Sequence, residues 1–356
     1  MPVIDADTHV DESEATWEYL DETDRRHTPS TVVHQSQIPG QQAPGFNRYW
    51  LISNQLRLRR VRDDKRTGTV QATRELTDIP ARLRHMDEMG VDVHVMYPTL
   101  FLAAISGQPE VELALCKAYN RWVAARSAES HGRLRWVAVL PTLTMEKAVE
   151  EIRFAKDHGA VGVMKKGIEC GSRPAGDPYF YPLYQAANDL DLALCIHLGS
   201  GDPTMSDFSR NFFGMWPTVL PVVDSCNSLV FNGVPDLFPR LRVGFIEAGA
   251  SWVPYVLSDL QARHKRIAWI QTFDLKQDLF RACRFFVAYQ TQEDLPYLLQ
   301  HGLEDSLLIG TDYTHADQSA EIGAIAVLRE RAARGDISQA VLRKMLEDNP
   351  KALYGL

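Results

Sequence analysis

Five short segments of this 356-residue chain close on side chains that can hold a divalent cation or move a proton. They carry Asp7 and His9 in IDADTH, Lys165 and Lys166 in VMKKG, His197 in CIHLG, Glu247 in FIEAG, and Asp312 with His315 in GTDYTH. Carboxylate oxygens and imidazole nitrogens are the ordinary ligands of divalent metals. Asp7 and His9 stand two positions apart, so on a strand both face the same side. A charged group that ends an apolar run must be paired, hydrogen-bonded or metal-bound. Taken singly, each residue has a plain role: Asp312 as a turn former or helix cap, His197 as a hydrogen-bonded polar group, Glu247 as a helix cap, the lysines as solvated charges or partners of Glu169. Their recurrence at five apolar segment ends points to one shared site.

The fold must bring these ends together. Apolar runs at 3–7, 91–97, 134–140, 161–164, 192–197, 241–246, 284–288 and 306–310 read as strands, each followed by helical material. Asp78, with Pro80 behind it, caps the first long helix, and Ser338 caps a last one expected to stop before Asn349-Pro350. Eight strand–helix units predict a parallel sheet, because each crossover returns the chain to the same edge. The count fits a closed (β/α)8 TIM barrel better than an open doubly wound sheet, since no glycine-rich dinucleotide fingerprint follows the first strand. In such a barrel, functional side chains sit at the C-terminal ends of strands, which is where these segments place theirs. The chain is expected to be one domain, 1–356.

One connection breaks the rhythm. Residues 28–75 form a long insertion after strand one, expected as a lid over the barrel mouth. Within it LRLR (56–59) alternates at strand period and suggests a β-ribbon. Arg57, Arg59, Arg60, Arg62, Lys65 and Arg66 stand against Asp63 and Asp64, a basic patch in a chain of net charge −8. Arginine suits bidentate recognition of carboxylate or phosphate. Arg57, Arg59 and Arg60, with Trp50 as apolar cover, are therefore expected to bind an anionic substrate, either a carboxylate or the phosphates of a coenzyme A thioester. The alternative is a ribbon whose arginines pair with acidic neighbours or with a partner subunit, a homodimer being an option.

Composition narrows the class. Charged residues make up 24% and hydrophobic residues 45%, values of a globular protein rather than a disordered or fibrous one. The acidic balance offers no general field for nucleic acid or an anionic membrane. No apolar run reaches the roughly 18 residues that span a bilayer. The acidic start MPVIDADTHVDESE predicts no leader peptide, and five scattered cysteines without a CxxC pair predict a reduced, cytoplasmic protein.

These segments resemble the amidohydrolase superfamily, and within it the amidohydrolase 2 group related to aminocarboxymuconate-semialdehyde decarboxylase. IDADTH is similar to that group's opening Asp/Glu-x-His motif, CIHLG to its fifth-strand histidine, and LIGTDYTH to its Ser/Thr-Asp-Tyr-Pro-His motif, with Thr314 where proline is usual. EDNPKALYGL resembles its closing segment. The resemblance covers nearly the whole chain and implies a metal held by Asp7, His9, His197 and Asp312. The decarboxylases of the group have histidine followed by two glycines at the end of strand six, where this chain has Glu247-Ala248-Gly249. Dinuclear members use a carboxylated lysine at the end of strand four, where Lys165 and Lys166 stand. Lys165 and Glu247 are thus expected to join a second metal site, with one or two divalent ions bound, zinc first and manganese or iron also suited.

The expected function is a metal-dependent hydrolase that activates water to cleave an amide, ester, lactone or thioester. Asp312 would move the proton and Glu247 would serve as base or ligand. The alternative is a metal-dependent non-oxidative decarboxylase of an aromatic or unsaturated carboxylic acid, with His315 or His94 as proton donor. A third reading, a barrel used as a binding scaffold, leaves the intact set of metal-binding residue types without a purpose.

Overall fold

The computed structural model describes residues 1–33, 48–202, 215, 218–267, 275–276, 278–316 and 319–356. Part of the expected insertion (34–47), the start of the helical stretch expected after strand five (203–214 and 216–217) and the end of the helix expected at 252–269 lie outside them. In chain order the strands are β1 (Ile4–His9), β2 (Ser30–Val33), β3 (Arg48–Ile52), β4 (Gln55–Leu58), β5 (Val93–Tyr97), β6 (Leu134–Ala138), β7 (Ala160–Lys166), β8 (Ile168–Glu169), β9 (Arg173–Pro174), β10 (Ala193–His197), β11 (Val243–Ile246), β12 (Phe285–Tyr289) and β13 (Leu307–Ile309).

Eight of these form one all-parallel sheet in the order β1-β5-β6-β7-β10-β11-β12-β13. The seam closes beyond the last strand. His9 N–H donates to the Tyr313 carbonyl at 2.8 Å and Asp312 N–H to the Asp7 carbonyl at 2.9 Å. The Asp5 carboxyl accepts from the Thr311 amide at 3.0 Å and hydroxyl at 2.6 Å. These bonds turn the sheet into the (β/α)8 barrel expected from eight units. The approach at the seam is close: a Cβ on Gly310 would meet the Asp7 Cβ at 2.4 Å, so only glycine fits there.

The barrel strands are buried on both faces, as a parallel sheet wrapped by helices requires. Asp78 caps Ile79–Met89 by accepting from the Ala81 amide at 2.8 Å, with Pro80 in the first turn. The end of the chain differs from expectation. The helix does not stop before Asn349-Pro350; Gln339–Arg343 runs into a π-helical turn, Lys344–Asp348, and on into Asn349–Tyr354. A widened turn accommodates the proline, which lacks an N–H and would clash with the preceding turn of a regular α-helix. Its last residues reach the site's strand: Tyr354 Oη donates to the Ala6 carbonyl at 2.6 Å.

The insertion carries a small antiparallel sheet, β2-β3-β4. The LRLR ribbon lies in and just after β4. Trp50 on β3 is buried edge-on against Trp17, ring centroids 5.8 Å apart, which anchors the sheet to the barrel. Arg66 reaches over the rim to the Ala316 carbonyl at 3.2 Å. Among the described residues no helix is long and apolar enough to cross a membrane.

Candidate metal centre

Asp7 and His9 end β1, His197 ends β10, Glu247 follows β11, and Asp312 and His315 follow β13. The barrel brings all six together, fully or almost fully buried. Two groups of possible ligand atoms, each within 4.8 Å of one another, share His9 and Glu247: Asp7, His9, His197 and Glu247, and then His9, Glu247, Asp312 and His315.

The two strand-end histidines are held the same way. His9 Nδ1 donates to the Pro98 carbonyl at 2.8 Å and His197 Nδ1 to the Leu198 carbonyl at 2.9 Å. Each ring thus turns Nε2 inward, the arrangement that fixes a metal-ligating tautomer. Both Nε2 atoms converge on Asp7 Oδ1, at 3.5 Å from His9 and 3.4 Å from His197. His9 Nε2 also lies 3.4 Å from Asp312 Oδ1 and 3.8 Å from Glu247 Oε2. It is fully buried and has no hydrogen-bond partner among the described residues. A lone pair faced by three carboxylate oxygens at these spacings calls for a cation between them. The donor set of imidazole nitrogens and carboxylate oxygens fits a divalent metal.

Electrostatics follow. Burial pushes the Asp7 carboxyl up, but the hydrogen bonds and charges of His197 and His9 carry it below the usual carboxylate range. Burial lowers the His9 ring below its ordinary value. Burial opposes the charged form of His197 too, yet Asp7 and Glu247 hold that ring above its ordinary value.

His315 stacks on His9 with ring centroids 3.9 Å apart, and its Nδ1 lies 2.7 Å from Asp312 Oδ1. At the other end, Nε2 is 3.2 Å from Thr99 Oγ1, whose own proton goes to the Val10 carbonyl at 2.8 Å. The ring therefore donates to Thr99, and Nδ1 faces the Asp312 carboxyl at the distance of a shared proton. Burial, then the charges of His9 and Arg62, push the ring well below its ordinary value.

Backbone strain gathers here. Glu247 and Asp312 adopt φ of 63° and 52°, and Thr314 a φ of 100°. Positive φ is costly for a β-branched residue. Proline, usual at this place in the resembled motif, is locked near −65° and could not take the conformation of Thr314. The Thr314 hydroxyl instead donates to the His9 carbonyl at 2.9 Å. The Ser319 hydroxyl sits between the two acids, 2.9 Å from Glu247 Oε1 and 3.2 Å from Asp312 Oδ2, with one proton to donate.

The structure does not bring Lys165 to this cluster. Its ammonium lies 3.0 Å from Glu169 Oε1 and 3.7 Å from the centre of the Phe180 ring. Lys166 also reaches Glu169, at 3.4 Å. His94 is fully buried behind the site, where its Nδ1 accepts from Arg82 at 3.2 Å. In the insertion, Arg59 forms a two-pronged pair with Glu14 at 2.5 and 2.8 Å and covers the Trp50 ring, while Arg57 donates to Gln55 at 2.6 Å. Arg60 and Arg62 line a cleft with Trp50, Glu12 and Thr99, and their charges act on His315. Thr99, Ser319, Thr314 and Arg62 were not singled out as site residues by sequence. Strand two closes on the uncharged pair Pro98-Thr99, and inspecting every strand end regardless of charge would have found it.

A family model described as amidohydrolase matches residues 4–356. A curated relative, 2-amino-3-carboxymuconate-6-semialdehyde decarboxylase of Dictyostelium discoideum, is 23% identical over 249 residues; the match spans 66% of this chain and 66% of that protein, just under two thirds of its length. Among solved structures, an amidohydrolase from Mycobacterium avium subsp. paratuberculosis K-10 superposes with a TM-score of 0.77 at 20% identity, covering 99% of both chains. 5-Carboxyvanillate decarboxylase from Novosphingobium aromaticivorans, complexed with manganese and 4-hydroxy-3-methoxy-5-nitrobenzoic acid, superposes with a TM-score of 0.69 at 16% identity, covering 100% of this chain and 96% of that one. The structural likenesses agree with the (β/α)8 barrel. The expectation of hydrolysis is corrected by the same findings: the curated relative and the 5-carboxyvanillate enzyme are both decarboxylases.

Proposed function

The chain belongs to the amidohydrolase family of enzymes, and on that premise we propose that it is a metal-dependent, non-oxidative decarboxylase of an aromatic or unsaturated carboxylic acid. The observation that carries the reading is the 2.7 Å approach of His315 Nδ1 to Asp312 Oδ1 inside the ligand cluster, where a shared proton would make the pair an acid. Decarboxylation needs an acid beside the substrate carbon, whereas hydrolysis needs a base beside a water.

Asp7, His9, His197, Asp312 and Glu247 would hold a divalent ion. Three carboxylates to two imidazoles is a set that suits manganese ahead of zinc. When bound, the ion supplies a fixed positive charge for the substrate carboxylate. His315 passes the proton from Nδ1 to the unsaturated carbon that bears the carboxylate. The carbon–carboxylate bond then breaks, its electron pair restores the π system, and carbon dioxide leaves. No water is consumed. Asp312 orients the ring, and the stack on His9 fixes its plane. Glu247 stands where the resembled decarboxylases have histidine; as a carboxylate it cannot donate, so the acid's duty falls to His315. Arg60 and Arg62, in the cleft beside Thr99, would receive an anionic group of the substrate.

His315→Asn tests the assignment. Turnover should fall by on the order of 10²–10⁴, the scale of lost general-acid catalysis, with metal content unchanged. In deuterium oxide the wild-type product should carry one deuterium at the carbon that lost its carboxylate. Full turnover by the Asn variant would remove His315 as the donor.

A further inference from the structure

The loop after β5 has a feature the reaction as described does not use. Glu12, buried beneath the insertion, clamps two consecutive backbone amides, accepting from Thr99 N–H at 3.1 Å and from Leu100 N–H at 2.8 Å. That clamp fixes the loop at the residue whose hydroxyl meets His315. The hydroxyl's proton is committed to the Val10 carbonyl, two residues before Glu12, so both of Thr99's anchors come from the stretch following β1. Its remaining lone pair points to His315 Nε2, 216 positions away across the barrel rim. Glu12, Thr99 and Leu100 also line the arginine cleft. Thr99 therefore lies at once against the cleft and against the ring.

We propose that Thr99 is a positioning residue: its hydroxyl, oriented by Val10 and held in place by Glu12, accepts the His315 Nε2 proton and so keeps Nδ1 turned toward Asp312 and the reacting carbon. The inference rests on the reading of His315 as the proton donor. A ring free to flip about its χ2 axis would exchange its nitrogen and carbon positions and present a carbon to Asp312. Stacking on His9 fixes the plane of the ring but not which edge faces inward, because a flip of 180° leaves the stacked plane unchanged. The hydrogen bond to Thr99 makes that choice.

Thr99→Val preserves shape and removes the acceptor; Thr99→Ser keeps it. Turnover of the manganese-loaded Val variant should drop by on the order of 10²-fold, the penalty of a misplaced catalytic group, with KM and metal content within about twofold of wild type. The Ser variant should recover most of the rate. Nitrogen-15 spectra of histidine-labelled protein, assigned through His315→Asn, give a readout independent of turnover: a protonated, hydrogen-bonded His315 Nε2 in wild type and Ser, and a displaced or exchange-broadened signal in Val. An unaltered Nε2 signal in the Val variant, or full turnover with that signal altered, overturns the proposal. A shifted signal together with a wild-type enzyme that releases no carbon dioxide would uphold the hold on the ring and sink the decarboxylase reading instead.

Discussion

At the scale of single residues, the site depends on positions where one side chain is required by geometry rather than by chemistry. Gly310 is the clearest: it has no charge and touches no ligand atom, yet it is what allows β13 to lie against Asp7. Gly310→Ala should push the β1 end aside. A cost of about 1–3 kcal/mol in stability is expected for such overpacking, seen as a lower midpoint in urea, together with weaker metal retention on dialysis. A variant that keeps wild-type metal content and midpoint would show the seam to be looser than the 2.4 Å approach implies. Glu247, Asp312 and Thr314 show the same economy in another form, since these three residues at two strand ends stand at positive φ within the site.

At the scale of elements, the eight barrel strands were legible in the sequence because a parallel sheet buried on both faces leaves near-continuous apolar runs. Their ends were legible because a charge closing such a run demands a partner. The same signal misled at β7. Lys165 and Lys166 look alike in sequence, and both pair with Glu169 of the two-residue strand β8, the alternative to a metal-binding lysine. Contacts between loops were not legible at all: Thr99 and His315 meet because β5 and β13 lie on either side of β1, which no local period encodes. The insertion is intermediate. Its strand pattern was readable, but Arg59 is spent on Glu14 in holding the sheet down. Arg62, nine-tenths buried, meets Asp11 only at 3.5 Å and keeps an Nε without a partner among the described residues, so it is better placed for an anion. The double variant Arg60→Gln, Arg62→Gln should raise KM roughly tenfold while sparing kcat, the mark of lost uniform binding. Added salt should raise the wild-type KM in the same direction, as screening shortens from about 10 Å at 0.1 M to about 3 Å at 1 M. A KM indifferent to both would leave the cleft as architecture.

At the scale of the whole molecule, the barrel gathers residues from both ends of the chain into one buried, mostly anionic cluster, with arginines of the insertion lining a cleft beside it. A net charge of −8 would repel an acidic substrate at long range; the arginines of the insertion provide a local exception beside the mouth. On the decarboxylase reading proposed above, the ligand cluster would hold the metal, His315 would give the proton, and the arginines of the insertion would receive the acid. The most direct test is to incubate the manganese-loaded enzyme with hydroxylated aromatic acids and unsaturated dicarboxylic acids labelled with carbon-13 in the carboxyl group, and to follow the label. Stoichiometric labelled carbon dioxide, with one solvent hydrogen in its place on the product, is the predicted result. Retention of the label in the product, with an oxygen from water newly joined to it, would contradict the account.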